Sequence, residues 1–299
     1  MDRHELLRKI TTFPLIAAVL AEDLLSGDFR SAFKGQGIEA DEVRHYERGD
    51  DIRAIDWNVS ARFGTPYVKM YREERELTVS LVLDCSASMY CGSPTRRADQ
   101  GLLAATLIAF SAERAGQRVA ALFFDRGIIK VFPPRKGRAH IMAMISAALS
   151  IDNGGGAGSN LGVALAGQGR LLKRRSLIVI ISDFLSVQWE QELGGLCRKH
   201  DVIAIRIGEP PDMAYQGLIA LEDPETGRSY HVPTGFAEFR AAWSDWHRDR
   251  RDGWQGVCRR LGASFLDLCT QDDVPAVLIR FFGSRGGIRP LKAPLHNKK

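Results

Sequence analysis

The sequence lacks several features that would place the protein outside the cell or in a membrane. Its five cysteines form no C-x-x-C pair, and their odd number argues against a fully paired disulfide framework. The most lipophilic N-terminal run, residues 13–19, is too short to cross a bilayer and is closed by Glu22 and Asp23. Since no cleavable signal is visible at the N-terminus, we expect a cytoplasmic protein without a membrane span.

The motifs of common catalytic sites are also missing. The chain contains no G-x-x-x-x-G-K-[ST] loop and no G-x-S-x-G elbow, and its seven histidines include no H-E-x-x-H spacing. A strong basic excess is absent too, because 41 Lys and Arg against 36 Asp and Glu give a net charge of only +5. These absences favour a protein that is not an enzyme, and they do not call for nucleic acid.

What is present is the composition of an ordinary soluble protein: 299 residues, 45% apolar and 26% charged. The patterns along the chain predict four segments. They are an N-terminal helical segment at 1–34, a charged, β-rich segment at 35–76, an α/β domain at 77–285 and a flexible basic tail at 286–299.

From residue 77 onward, apolar strand patterns alternate with helical patterns. This alternation predicts βαβ units and a mostly parallel sheet covered by helices on both faces. Parallel strands are predicted at 77–83, 119–124, 177–181, 202–207 and 264–268. Helices are predicted at 99–115, 139–149, 161–172, 189–199, 236–261 and 274–282. Turn signals predict an antiparallel edge strand at 128–132 and a separate hairpin joining 217–221 to 230–232.

One apolar strand pattern ends in an acid and two hydroxyls at alternate positions, Asp84-x-Ser86-x-Ser88. Ser159 begins a predicted helix, where it could serve as N-cap, and Asp183 ends another apolar strand. Ligands bind outside the carboxyl ends of parallel strands, so we expect these five side chains to converge. Carboxylates and hydroxyls suit a hard cation, which predicts a site for Mg²⁺, with Mn²⁺ as an alternative.

Asp84-Cys85-Ser86-Ala87-Ser88, Ser159 and Asp183 resemble the metal-ion-dependent adhesion site of von Willebrand factor A domains. The block at 46–62, which contains Asp50, Asp51, Arg53, Asp56, Trp57 and Arg62, resembles the bacterial family called domain of unknown function 58. Together these resemblances imply a Rossmann-like A domain, magnesium binding and partnership with MoxR-type AAA+ ATPases. Ser159 differs from the usual pattern, which has Thr in the third motif.

The block at 50–62 also suits a solvated, salt-bridged surface, so its role as a structural or partner-facing motif stays open. Within it, we expect Trp57 to anchor a core. Trp243 and Trp246 lie at helical spacing, and we expect them to pack inward.

Three functions are compatible with these patterns. The first is an adaptor that docks an acidic side chain of a partner through the metal, in a chaperone-like or complex-maturation role. The second is nucleic-acid binding through the Arg-rich long helix and the basic tail. The third is a metal-dependent phosphatase with Asp84 as nucleophile, which is disfavoured because Ser86 stands where a second acid would be needed.

Overall fold

The structure, a computed structural model, describes residues 43–47, 50–52, 55–69, 77–91, 95–151, 158–210, 217–222 and 228–283. Its contacts divide the chain into two units, of which one contains the described residues 43–69 and the other those from 77 to 283. The predicted helical segment 1–34, Arg53 and the predicted tail 286–299 lie outside the described residues. The four segment boundaries therefore stay predictions.

The smaller unit is built on a short antiparallel pair. β1 (Val43–His45) pairs with β2 (Tyr67–Lys69), and α1 (Trp57–Phe63) lies between them in the chain. No residue of α1 is buried, so this helix is held mainly by its N-cap and by the strand pair.

The larger unit contains a six-stranded sheet among its described residues. Its strands are β3 (Thr78–Asp84), β4 (Arg118–Phe124), β5 (Ile128–Arg135), β6 (Leu177–Ser182), β7 (Asp201–Gly208) and β10 (Ser264–Cys269). The spatial order is β10-β7-β6-β3-β4-β5, parallel throughout except for the β4–β5 pair. The predicted α/β fold is confirmed: a Rossmann-like, mostly parallel sheet flanked by helices.

Sequence explains which strands are central and which lies at the edge. All six residues of β6 are buried, and so are all of β3 after Thr78, because parallel strands covered on both faces read as continuous apolar runs. β5 is largely exposed and contains Pro133 and Pro134, which lack the N–H that a central strand must donate. It extends to Arg135, beyond the predicted end at 132.

The helices of the larger unit cover both faces of the sheet. They are α2 (Arg97–Arg114), α3 (Arg138–Leu149), α4 (Leu161–Leu171), α5 (Glu190–Cys197), α6 (Ala237–Leu261) and α7 (Val274–Gly283). Val82 and Ile180 share one apolar cluster with residues of α4, α5 and α6. Leu81 and Phe123 face α2 and α3 on the other side. The predicted hairpin is also present, as β8 (Leu218–Glu222) paired with β9 (Ser229–Pro233).

The expectation that Trp246 packs inward is wrong, and Trp243 is covered only in part. Only Trp254 and Cys258 of this helix are buried, both near its C-terminal end. Trp246 is 46% exposed and Trp243 is half-buried. Trp254, near the C-terminal end of α6, packs against Phe265 of β10, and helical spacing alone did not indicate which tryptophan of the helix would be buried.

Candidate metal centre

The candidate site lies where the order of the sheet reverses. From β3 the chain runs outward to β4 and β5, whereas from β6 it runs in the other direction to β7 and β10. This switch point leaves a crevice beyond the carboxyl ends of the two central strands, where open α/β sheets bind ligands. Asp84 ends β3, and Asp183 directly follows β6.

Asp84 is the centre of the hydrogen-bond network in this crevice. Its side chain is buried, with 2% exposure. Oδ1 accepts the backbone N–H of Ser86 at 2.9 Å. Oδ2 accepts the hydroxyls of Ser182 at 2.6 Å and Ser159 at 3.3 Å. The turn after β3, the loop before α4 and the end of β6 therefore each place a donor on one carboxylate.

The electrostatics of Asp84 are unfavourable in the absence of a cation. Burial raises the pKa of Asp84 to about 7, and the negative charge of Asp183 acts in the same direction. The hydrogen bonds from Ser182 and Ser86 lower the pKa of Asp84, but they do not cancel the first two effects. A positive charge beside this carboxylate would offset the cost of keeping it ionised.

Ser86 and Ser88 are held by a short 3-10 helix, Ala87–Tyr90, that follows β3. Their hydroxyl oxygens lie 3.2 Å apart, and both side chains are buried. Met89, which is fully buried, packs the turn into the core. Because the turn is anchored in this way, the two hydroxyls stay beside Asp84.

Ser159 reaches the site from the loop before α4. Gly158 has φ +108°, a backbone conformation that a side chain would strain, and so turns the chain toward the crevice. The N-cap of α4 is Asn160, whose side chain accepts the N–H of Val163, and not Ser159 as expected. The hydroxyl of Ser159 donates to Asp84 instead, because the neighbouring asparagine already satisfies the helix end.

The loop after β6 fixes Asp183. Oδ1 of Asp183 accepts the N–H of Leu185 at 3.0 Å, and the N–H of Phe184 donates to the hydroxyl oxygen of Ser182. Phe184 has φ +54°, a left-handed conformation that is uncommon for an aromatic residue. Its ring is buried against Trp189 and Trp254, and this packing holds the turn that presents Asp183.

Sequence reasoning missed a cation at this site. Arg97, at the start of α2, donates to the backbone oxygen of Ser88 at 3.1 Å and to Asp183 at 3.4 Å. Its other terminal nitrogen pairs with Glu209 at 2.8 Å. The guanidinium is only 14% exposed, and it balances Asp183. Glu209 directly follows β7 and so lies at the same sheet edge as the site. This position was the one feature of the sequence that could have indicated a further charged group there.

The five predicted residues therefore lie around one crevice. Hydrogen bonds join Asp84, Ser86, Ser88 and Ser159, and Asp183 is close enough to act on the charge of Asp84. In the described part of the chain no cluster of three or more His, Cys, Asp or Glu could hold a metal ion. A cation here would depend on two carboxylates, serine hydroxyls and water, a donor set that fits Mg²⁺.

Two acidic residues of the block at 50–62, which lies in the smaller unit, have structural roles. Asp50 accepts from the side chain of Arg44 and from the N–H of Glu47 at 2.9 Å. The hydrogen bond from Arg44 lowers the pKa of Asp50. Asp56 is the N-cap of α1 and accepts two backbone N–H groups of its first turn. These contacts explain why acidic residues occur at positions 50 and 56, but they do not identify a binding partner.

The remaining residues of the block lie at the surface. Asp51 and Arg62 are exposed, and Trp57 is 69% exposed. The expectation that Trp57 anchors a core is wrong, because α1 has only seven residues and buries none of them. Phe63 and Ile52 of the same unit are also exposed, at 67% and 64%.

The fold and this crevice define the larger unit as an α/β domain with an acidic, hydroxyl-lined switch point. Residues 42–253 match the family described as "Protein of unknown function DUF58". An uncharacterized protein of Mycobacterium tuberculosis is 32% identical over 292 residues, covering 95% of this chain and 91% of the relative. An uncharacterized protein of Mycobacterium bovis matches to the same extent. The chain belongs to the DUF58 family.

Solved structures give weaker matches. A conserved hypothetical protein BatB from Bacteroides thetaiotaomicron has a TM-score of 0.48 at 13% identity, covering 70% of this chain and 98% of that one. A von Willebrand factor type A protein from Catenulispora acidiphila has a TM-score of 0.33 at 17% identity, covering 58% and 43%. The family assignment therefore stands on the sequence relatives. Separately, no helix in the described ranges is long and apolar enough to span a membrane.

Proposed function

We propose that this protein is a cytoplasmic, metal-dependent adaptor that docks an acidic side chain of a protein partner. Asp84, Ser86, Ser88, Ser159 and Asp183 would hold Mg²⁺, and the same oxygens suit Mn²⁺. The bound ion would supply a positive charge with a coordination position for the partner's carboxylate. The family resemblance points to a MoxR-type AAA+ ATPase as partner, in a chaperone-like or complex-maturation role.

The observation that carries the proposal is the carboxylate of Asp84, which is buried and whose charged form is destabilised by its surroundings. Its pKa is raised to about 7, and hydroxyl groups of Ser86, Ser159 and Ser182, from three different parts of the chain, bond to it while Asp183 lies close by. Proteins keep buried charges when they are paired or bind metals. Arg97 balances Asp183, so Asp84 is the group that gains most from an ion.

The other two functions have less support. Phosphoryl transfer through Asp84 would need a second acid two residues on, whereas Ser86 stands there with its hydroxyl bonded to Ser88. On α6, Arg248 pairs with Asp245, and Arg251 lies beside Asp252. These pairs interrupt the positive surface that binding to phosphates would require.

Capture of the partner tests the proposal. Wild-type protein with Mg²⁺ should retain the MoxR-type ATPase of the same genome. EDTA and Asp84→Asn should each reduce capture at least about tenfold, as expected when a central, desolvated contact is lost. Asp84→Asn keeps the shape of the side chain, removes its charge and replaces one acceptor oxygen with an NH₂ donor.

The matched control is Asp201→Asn. Asp201 begins β7 at the opposite end of the sheet, where it pairs with Arg175 at the surface. Its substitution should leave capture unchanged. Equal capture by wild type, EDTA-treated protein and Asp84→Asn would refute docking through the metal.

A further inference from the structure

The hydroxyl of Ser182 joins two parts of the candidate metal centre, although Ser182 is not among the five predicted ligands. Ser182 is the last residue of β6, and its side chain is fully buried. Its hydroxyl donates to Oδ2 of Asp84 at 2.6 Å, and the same oxygen accepts the N–H of Phe184 at 3.0 Å. One side chain therefore contacts both the carboxylate that ends β3 and the turn that follows β6.

The position of Ser182 within its strand is an unusual one for a hydroxyl. Side chains alternate along a strand, and Ile178 and Ile180, which share this face with Ser182, belong to the apolar core cluster. A buried hydroxyl in such surroundings costs free energy unless its hydrogen bonds are made. Both bonds of Ser182 go to residues of the candidate centre, so the centre and not the core accounts for a polar side chain at this position.

The bond from Ser182 to Asp84 is shorter than the bonds from Ser86 and Ser159. The N–H of Ser86 lies 2.9 Å from Oδ1, and the hydroxyl of Ser159 lies 3.3 Å from Oδ2. Hydroxyl groups that donate to an ionised carboxylate do so at about 2.5–2.7 Å, and such bonds are roughly twice as strong as neutral ones. Ser182 thus restrains the orientation of Asp84 more strongly than Ser159 does.

The bond to Phe184 acts on the second acidic side chain of the centre. Phe184 directly follows Asp183 and has φ +54°, a conformation that aromatic residues rarely adopt. The next N–H, that of Leu185, donates to Oδ1 of Asp183 at 3.0 Å. By accepting the N–H of Phe184, Ser182 helps to hold the turn in the conformation that presents Asp183.

We propose that Ser182 is a positioning residue of the metal centre, which holds Asp84 and the turn of Asp183 in one fixed arrangement and thereby sets the affinity for Mg²⁺. Groups that hydrogen-bond to the ligands of a metal typically change its affinity by about 10–100-fold. This inference rests on the proposed function, since it needs an ion at the centre. It does not depend on the identity of the partner.

Isothermal titration calorimetry with Mg²⁺ on the whole protein tests the inference. Ser182→Ala should weaken Mg²⁺ binding about tenfold or more, because Asp84 and the N–H of Phe184 both lose a partner. Ser182→Thr should restore most of the affinity, because it keeps the hydroxyl. Circular dichroism at the titration temperature shows that each variant is folded.

Ser80→Ala is the matched control. Ser80 lies in β3 and is fully buried like Ser182, but its hydroxyl accepts Nε2 of Gln168 at 2.7 Å and does not contact the centre. Ser80→Ala removes a buried hydrogen bond of the core and should bind Mg²⁺ like wild type. The comparison separates an effect on the centre from a general loss of stability.

Three results would overturn the inference while wild type binds Mg²⁺. They are wild-type affinity in Ser182→Ala, an equal loss of affinity in Ser80→Ala, and a folded Ser182→Thr that binds as weakly as Ser182→Ala. Absence of Mg²⁺ binding by wild type would refute the proposed metal centre and this inference with it. Mg²⁺ binding that depends on Ser182, without metal-dependent capture of the MoxR-type ATPase, would refute the proposed docking and leave this inference standing.

Discussion

Saturating Mg²⁺ should raise the melting temperature of the wild-type protein by about 5 to 10 °C. A ligand at about 100 times its dissociation constant stabilises the folded state by about 2.7 kcal/mol, and each kcal/mol corresponds to about 2–4 °C in a domain of this size. The physical source is Asp84, whose buried carboxylate is destabilised by Asp183 when no cation is bound. Differential scanning calorimetry with and without Mg²⁺ measures the shift.

The same carboxylate sets a pH dependence for the metal-free protein. The pKa of Asp84 is about 7 in the folded state, above the ordinary value of about 4 for an unfolded chain. Between these values the folded state binds more protons, so its stability decreases as the pH rises. The loss from this group should reach about 2–4 kcal/mol, at about 1.4 kcal/mol for each pKa unit.

Asp84→Asn isolates both effects. The amide cannot ionise, so the metal-free variant should be more stable than wild type at neutral pH and should lack this part of the pH slope. It should also lose the response to Mg²⁺. Asp201→Asn is again the matched control and should keep both properties. A wild-type melting temperature that stays constant up to tens of millimolar Mg²⁺ would argue against an occupied site.

Arg97→Gln should have the second large effect. It should destabilise the metal-free protein, but it should strengthen the binding of Mg²⁺. Without metal, the variant leaves the buried Asp183 without its cation. Removal of one partner from a buried ion pair typically costs about 3–5 kcal/mol. Because Arg97 also repels any cation at the centre, its loss should strengthen Mg²⁺ binding about tenfold. Thermal unfolding across a Mg²⁺ titration measures both changes.

Arg175→Gln provides the comparison for Arg97. Arg175 pairs with Asp201 at the surface, where its side chain is 49% exposed. Exposed pairs contribute about 0–1 kcal/mol, so this variant should unfold like wild type and respond to Mg²⁺ in the same way. If Arg97→Gln behaved like Arg175→Gln, the ion pair with Asp183 would not control the charge at the centre.

The arrangement of the site was predictable because parallel strands share a direction. Asp84 and Asp183 both end apolar strand patterns, and the alternation of strands and helices places such ends at one edge of a sheet. The same reasoning brought Ser159 there, since it lies just before a helix in the alternating pattern. The predicted fold depends on the same long, regular patterns, and these are the most reliable signal in a sequence.

The contacts that depend on relative placement were not predictable. Arg97 and Glu209 belong to different elements, and nothing in their local sequence indicates that they meet beside Asp183. Trp57 and Trp246 were expected in a core, since large aromatic residues are usually buried. Both are exposed, because no other described element covers them, and such coverage is a property of tertiary packing and not of helical periodicity.

The ring of Phe184 connects the loop of the candidate metal centre with two tryptophan side chains. It follows Asp183 directly and is wedged between two indoles, with ring centroids 5.4 Å from Trp189 and 5.3 Å from Trp254. Any displacement of the acid therefore moves a ring that is in contact with both fluorophores. We therefore expect the intrinsic emission of Trp189 and Trp254 to change when an ion binds in the crevice, and we expect Phe184→Leu to reduce that change.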